Sequence, residues 1–435
     1  MPAERPTFKE WQTLASESPE RVVDQFLGKL ELITAESSRA MIASHFDRER
    51  TLSALKASCA LEDAPLSGVP YMLQDLFDVT GLPTKCGAPF DEPFLPPLEQ
   101  SSLLYQKLNT LGGAFFAKSV PAEFGIDMRG LNPTFGDCPH ADSLRYVCGG
   151  GAGASIHAVA EGWAPIAFGL DTTGGIRIPA AFHGLFGFRM GTNNFAREGV
   201  FPIVPSIEAV GFATAHCEDL LAAFKALHRI PISIEGPKVA RGYLLTDLAG
   251  PLEPSLKAGI MQLLRELNID DEPSTRRRLL DAFARGGQAL SVIESRELYS
   301  IHKYWIEEYG ELYAPSAMQR IQQGRDCSAA DAEKAILIQQ WIRASLTEFF
   351  VDHDYLVIPI CTTPSPEKSI WSPDLERDLQ QLNAPASLSF LPAMILPVYC
   401  NEGLHGAVQI IIHPRKLHCV PQIIEKVTKY YAIEE

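Results

Sequence analysis

Residues Ala167 to Arg189 read AFGLDTTGGIRIPAAFHGLFGFR. A short apolar run, a Gly-containing turn and a second apolar segment form the pattern by which a strand delivers backbone N–H groups to one point. The preceding stretch, YVCGGGAGASIHAVAEGW (Tyr146 to Trp163), is a second Gly-rich loop followed by an Ala-rich helix that leads into the same strand. Loop, helix, strand and loop in that order call for a sheet with a crossover helix, and the two loops can converge on one site. Turns of this kind often carry a nucleophile. After Asp171, Thr172, Thr173 and Gly174 stands Gly175, which has no side chain to react.

The rest of the chain repeats the strand and helix alternation. Thr7 with Glu10 reads as a capping box, and Ser18 with Pro19 as an N-cap and first helical residue, followed by the apolar stripe Val22, Val23, Phe26, Leu27 and Leu30. From Gly68 to Gly87 apolar runs are punctuated by Gly and Pro, as in strands and turns, and the helix-like SSLLYQKLNTLG precedes the strand-like GGAFFAKS. Helical patterns dominate after Ile230, with one run from Thr275 to Tyr313, before strand signals return at DYLVIPICTTP, SLSFLPAMILPVYC and GAVQIIIHP. The expected fold is α/β: a mixed, twisted β-sheet covered by helices on both faces. With no repeat and no linker, residues 1–435 read as one domain carrying a mainly helical insertion at about 231–349.

Composition excludes several functions. The formal net charge of −15, from 38 basic and 53 acidic residues, opposes binding to nucleic acid or anionic membrane, and Arg276 to Arg278 read as a solvated helix face. MPAERPTFKEW has no signal-peptide pattern, and the longest apolar run is too short to span a bilayer. Nine cysteines without a C-x-x-C pair fit free thiols in a reducing, cytoplasmic setting. The eleven histidines form no ligand pattern, so no metal is expected. CGGGAGAS lacks the Lys-Ser/Thr of a P-loop and is not followed by a dinucleotide-binding pattern, so no cofactor is expected.

Taken together, GVPYMLQDLFDVTGLPT, CGGGAGAS, GLDTTGGIRIPAAFHGLFGFR and the two carboxy-terminal segments DHDYLVIPICTTP and FLPAMILPVYCNEGLHGAVQII resemble the amidase signature family over nearly the whole chain. The resemblance implies an amide hydrolase that uses a Ser nucleophile, a relay Ser preceded by a cis peptide, and a Lys. Mapped residue by residue, the Lys position holds Gln74, the relay position Gly151 and the nucleophile position Gly175. Asp171, Thr172, Gly174, Ile176, Arg177 and Pro179 keep the family register, which argues against a slip of one residue. Without a relay hydroxyl, the Gly150–Gly151 bond is expected to be trans.

Other residues are weighed against bland roles. Thr173 reads as a β-branched residue narrowing the pocket, since no base is evident beside it, and Cys148 as a buried thiol. His157 and His183 read as packed core histidines, Ser155 as a helix cap, Lys118 as structural, and Asp171 with Arg177 as an ion pair holding the loop. Gln74 can pair with a ligand amide or with backbone. Gln74, Cys148, Gly151 and Thr172 to Gly175 are the candidate ligand-binding residues, for a small-molecule amide, carboxylate or related ligand. The reading is a non-hydrolytic pseudoamidase; a repurposed enzyme performing cyclisation, elimination or acyl transfer, and an amide hydrolase using Cys148 or Thr173, stay open. A homo-oligomer or a protein partner stays open as well.

Overall fold

The computed structural model describes residues 4–32, 39–90, 99–191, 197–228 and 240–434. Its strands are β1 (Ile42–His45), β2 (Pro70–Gln74), β3 (Ala114–Ser119), β4 (Ile166–Asp171), β5 (Phe186–Arg189), β6 (Ala209–Thr214), β7 (Gly242–Leu244), β8 (Ile269–Asp270), β9 (Tyr355–Pro359), β10 (Ala393–Tyr399) and β11 (His405–Ile412). They form one 11-stranded sheet in the order β1-β3-β2-β4-β6-β5-β10-β11-β9-β7-β8. The sheet is mixed. β2 runs parallel to β3 and β4, the strands from β4 through to β9 pair antiparallel, and β9, β7 and β8 are parallel again.

Successive side chains of a strand point to opposite faces, so a strand buried at every position is covered on both. β2, β3, β4, β5 and β6 are buried throughout, which places helices above and below the sheet centre. The capping box at Thr7 closes the start of the helix Phe8–Glu17, and Val22, Val23 and Phe26 of the next helix, Pro19–Leu32, enter the core. Ser18 ends the first helix by donating its N–H to Leu14.

The stretch after Ile230 differs in detail from the expectation. Residues 229–239 lie outside the described ones. Beyond them come the helices Pro254–Leu263, Pro273–Phe283, Gly286–Tyr309, Pro315–Asp326 and Ala329–Asp352, but β7 and β8 lie there too and extend the sheet edge. The run from Thr275 to Tyr313 is two helices, broken at Ala284 and Arg285. SLSFLPAMILPVYC divides as well: Ser387 to Ser389 finish the helix Pro373–Ser389, which stops at a left-handed Phe390, and only Ala393 onward is strand. Arg276 to Arg278 make surface pairs with Asp247, Asp281 and Glu348. Among the described residues, no helix is long and apolar enough to cross a membrane.

Candidate functional site

Gln74 ends β2 and Asp171 ends the neighbouring parallel β4, so the Thr172–Gly175 loop leaves the sheet beside Gln74, at the carboxyl ends of these strands. The Gly149–Gly151 loop joins them before the helix Gly153–Ala160. Ala152 donates its N–H to the Gly175 carbonyl at 3.2 Å, and a Cβ on Gly150 would stand 3.2 Å from both the Gly174 carbonyl oxygen and the Gly175 Cα. The two glycine loops therefore lie backbone against backbone. No peptide bond is cis among the described residues, so Gly150–Gly151 is trans as expected.

Each position that the resemblance assigns to chemistry has a definite environment. Gln74 is fully buried; its Nε2 donates to the Gly151 carbonyl at 2.9 Å, and its Oε1 accepts the Leu170 N–H at 2.8 Å. Each end of the amide bonds to backbone, so Gln74 ties the first glycine loop to β4. A Cβ at Gly151 would lie 2.4 Å from the Gly125 carbonyl oxygen, and one at Gly175 would lie 2.5 Å from the Leu170 carbonyl oxygen. Gly125 belongs to the turn Glu123–Gly125, in which Phe124 has a left-handed φ of 52°. That turn fills the space a side chain at 151 would need.

The Thr172–Gly175 loop is anchored from below. Asp171 is buried and accepts from Arg177 Nη2 at 2.7 Å and from the N–H groups of Ile176 and Arg177, both at 3.1 Å. Arg189 at the end of β5 adds a second guanidinium at 3.2 Å. Burial pushes the Asp171 carboxyl up, but Arg177 and Arg189 outweigh it and hold the group below its ordinary range. Arg177 also donates to Gln409 of β11 and to the Asn383 carbonyl, fixing the loop to the far half of the sheet. With Ile176 and Arg177 committed to Asp171, the N–H groups of Thr173, Gly174 and Gly175 meet no acceptor among the described residues.

Thr173 corrects one expectation. Its hydroxyl donates to Glu294 Oε1 at 3.0 Å, so a carboxylate does stand beside it. Glu294 comes from the helix Gly286–Tyr309, far away in sequence. Leu290, Glu294, Leu298 and His302 repeat every four residues and are all buried, so the carboxylate sits on the apolar stripe of an amphipathic helix. A carboxylate at such a position is the one sequence signal that could have found it. The helix Pro315–Asp326 crosses this one closely because Gly324 faces it: a Cβ there would lie 1.8 Å from the Ser295 carbonyl oxygen. The crossing sets Arg320 Nη1 3.7 Å from Glu294 Oε2 and Nη2 2.6 Å from Glu376. Burial raises the Glu294 carboxyl above its usual range, with Arg320 opposing. Arg320 lines a cavity of about 540 Å³ whose walls include Asp127, Arg129, Gln319, Trp371 and Gln380.

The other candidates are buried among packed neighbours. Cys148 is buried with its sulfur 3.0 Å from Cys138 Sγ, both thiols free. Ser155 does not cap its helix, whose N-cap is Ala152; its hydroxyl meets Ser119 Oγ at 2.6 Å instead. Lys118 is buried on Asp75, Thr84 and the Pro83 carbonyl, a structural role. His183 stacks on His140 at 4.2 Å between ring centroids, donates from Nδ1 to the Pro179 carbonyl and accepts the Ala141 N–H at Nε2, while His157 is buried nearby with Nδ1 unpartnered.

The family model described as Amidase matches residues 21–281. The chain belongs to the amidase family. This amidase-family chain is 25% identical over 380 residues to a 1-carboxybiuret hydrolase subunit of Pseudomonas sp. (strain ADP), covering 80% of this chain and 81% of that protein. It is 26% identical over 432 residues to a glutamyl-tRNA(Gln) amidotransferase subunit of Symbiobacterium thermophilum, covering 88% of each. A solved amidase superimposes with a TM-score of 0.82 at 24% identity, over 97% of this chain and 98% of that one, which shows the shared fold.

Proposed function

We propose that this amidase-family protein is a pseudoamidase: it does not hydrolyse amides by the Ser, relay Ser and Lys route, and it binds a small amide, carboxylate or related molecule in the polar cavity that Arg320 lines. The observation that carries the reading is steric. Gly151 and Gly175 offer no hydroxyl, and a Cβ at either would come within 2.5 Å of a backbone carbonyl oxygen. Gln74 cannot take a proton near neutral pH, and each end of its amide already bonds to backbone. What remains is a loop of backbone N–H groups linked through Thr173, Glu294 and Arg320 to a polar cavity, which suits binding. Work as one member of a complex fits the same reading, since the hydrolase and amidotransferase relatives are themselves named as subunits.

The test is intact mass after incubation with a fluorophosphonate and with a thiol-directed acylating ester, together with untargeted mass spectrometry of small molecules that copurify with the full chain. Unmodified protein carrying a defined ligand is expected. Stoichiometric labelling at Ser155, or rapid labelling of Cys148 that disappears in Cys148→Ala, would overturn it. The Thr173–Glu294 contact favours a second reading, in which Glu294 acts as base to a Thr173 nucleophile. Labelling at Thr173 that is lost in both Thr173→Ala and Glu294→Gln decides for that reading.

A further inference from the structure

Glu294 is 2% exposed, yet its carboxylate is poorly satisfied. Oε1 accepts one hydrogen bond, from Thr173, and Oε2 has no hydrogen-bond partner, since Arg320 Nη1 stands 3.7 Å away, beyond hydrogen-bond reach. A buried carboxylate normally collects several donors, because leaving an ionised oxygen unpaired in a low-dielectric interior is costly. The groups around it come from three separate parts of the chain: the Thr173 hydroxyl on the glycine loop, Arg320 on the crossing helix, and Glu376, which shares that guanidinium. Asp127, paired with Arg129, also lines the cavity. Arg320 thus has one face on Glu294 and lines the cavity as well.

A hydroxyl donor and a guanidinium converging on one carboxylate, beside unspent backbone N–H groups, form a carboxylate receptor. Here the receptor is occupied by the protein's own side chain, at a distance from Arg320 too long for a strong pair. A free carboxylate, not tethered to a helix, can approach the guanidinium at bidentate distance, which the Glu294 side chain does not do. We propose that Thr173 and Arg320 form a carboxylate subsite, that Glu294 fills it in the ligand-free chain, and that the ligand is a small carboxylic acid whose body lies in the cavity against Trp371, Gln319 and Gln380. The inference rests on the ligand-binding reading above and names its ligand class; a covalent label at Ser155 or Cys148 would defeat that reading without touching the subsite, whereas a label at Thr173 would defeat both.

The probe is acetate, with acetamide as its neutral counterpart. Each is titrated into the full-length parent, Glu294→Ala and Glu294→Ala/Arg320→Gln at constant ionic strength made up with chloride. Binding is read from line broadening of carbon-13-labelled probe and from the rise in thermal midpoint, which grows with ligand occupancy. Glu294→Ala is expected to bind acetate roughly tenfold more tightly than the parent, to discriminate against acetamide, and to lose the gain when Arg320 is also replaced. Equal acetate affinity in parent and Glu294→Ala, equal binding of acetate and acetamide, or retention of the gain in the double variant would each overturn the proposal. Should Glu294→Ala not fold, Glu294→Gln keeps the shape and removes the charge that competes for Arg320. A gain in acetate affinity of the same sign is then expected, and its absence counts against the subsite equally.

Discussion

Introducing Lys and Ser at the positions that the resemblance assigns to chemistry is the most direct test of the pseudoamidase reading proposed above. On the sequence alone, Gln74→Lys, Gly151→Ser and Gly175→Ser together are the minimum change that would allow a covalent label. The structure gives the opposite expectation. Real Cβ atoms keep at least 3.0 Å from backbone oxygens, and the Cβ atoms at Gly175 and Gly151 fall short of that by 0.5 Å (3.0 minus 2.5) and 0.6 Å (3.0 minus 2.4). The obstructing atoms are carbonyl oxygens of Leu170 in β4 and of Gly125 in the turn beneath, so no side chain can swing aside. Overpacking of this kind costs about 1–3 kcal/mol per site. Gln74→Lys adds about 1–3 kcal/mol, because Lys has no acceptor for the Leu170 N–H, which is left buried and unpaired. Summed without coupling, the triple variant loses about 3–9 kcal/mol, against the roughly 5–15 kcal/mol that holds a typical protein folded. The assay is urea unfolding of each single variant followed by tryptophan fluorescence, with Gly175→Ala as the control that adds a Cβ and no hydroxyl. Equal losses in Gly175→Ala and Gly175→Ser are expected, and the triple variant should take up no fluorophosphonate. A Gly175→Ser protein as stable as the parent, or a stoichiometrically labelled triple variant, would refute the steric argument.

Two further outcomes follow from the same region. Asp171→Asn leaves Arg177 and Arg189 buried without their shared carboxylate, so it is expected to lower stability by about 3–5 kcal/mol in urea unfolding; a loss under 1 kcal/mol would mean the loop is not anchored there. Burial lowers His157 to about 4, below the roughly 6.5 of an unfolded histidine, so the unfolded chain binds more protons between these values. The corresponding stability is complete above pH 6.5 and drains away as pH falls towards 4, by about 1.4 kcal/mol per pH unit for this one ring. Urea midpoints measured across that range in the parent and in His157→Phe should diverge; parallel curves would remove the histidine from the account.

The local order of apolar runs, glycine turns and caps determined a good deal on its own. Thr7 and Glu10 are three residues apart and need no distant partner to form a capping box, and the apolar runs at β2, β4 and β11 are short and bounded by Gly, Pro or turn residues, the pattern of a buried strand. The convergence of the two glycine loops and the Asp171–Arg177 pair were legible for the same reason, since both lie within one short stretch of chain. Arg189, Glu294 and Arg320 were not. Each reaches the site through strand order or helix crossing, and Glu294 lies 121 residues from its partner Thr173. The division between the helices at Ala284 and the switch from helix to strand at Phe390 also escaped the pattern, because an apolar run has the same composition in either state and packing decides which it adopts. Sequence named the residues at positions 74, 151 and 175, but only the tertiary structure decided that two of them have no room to be anything larger, because the obstructing carbonyls of Gly125 and Leu170 are placed there by the backbone path of the folded chain.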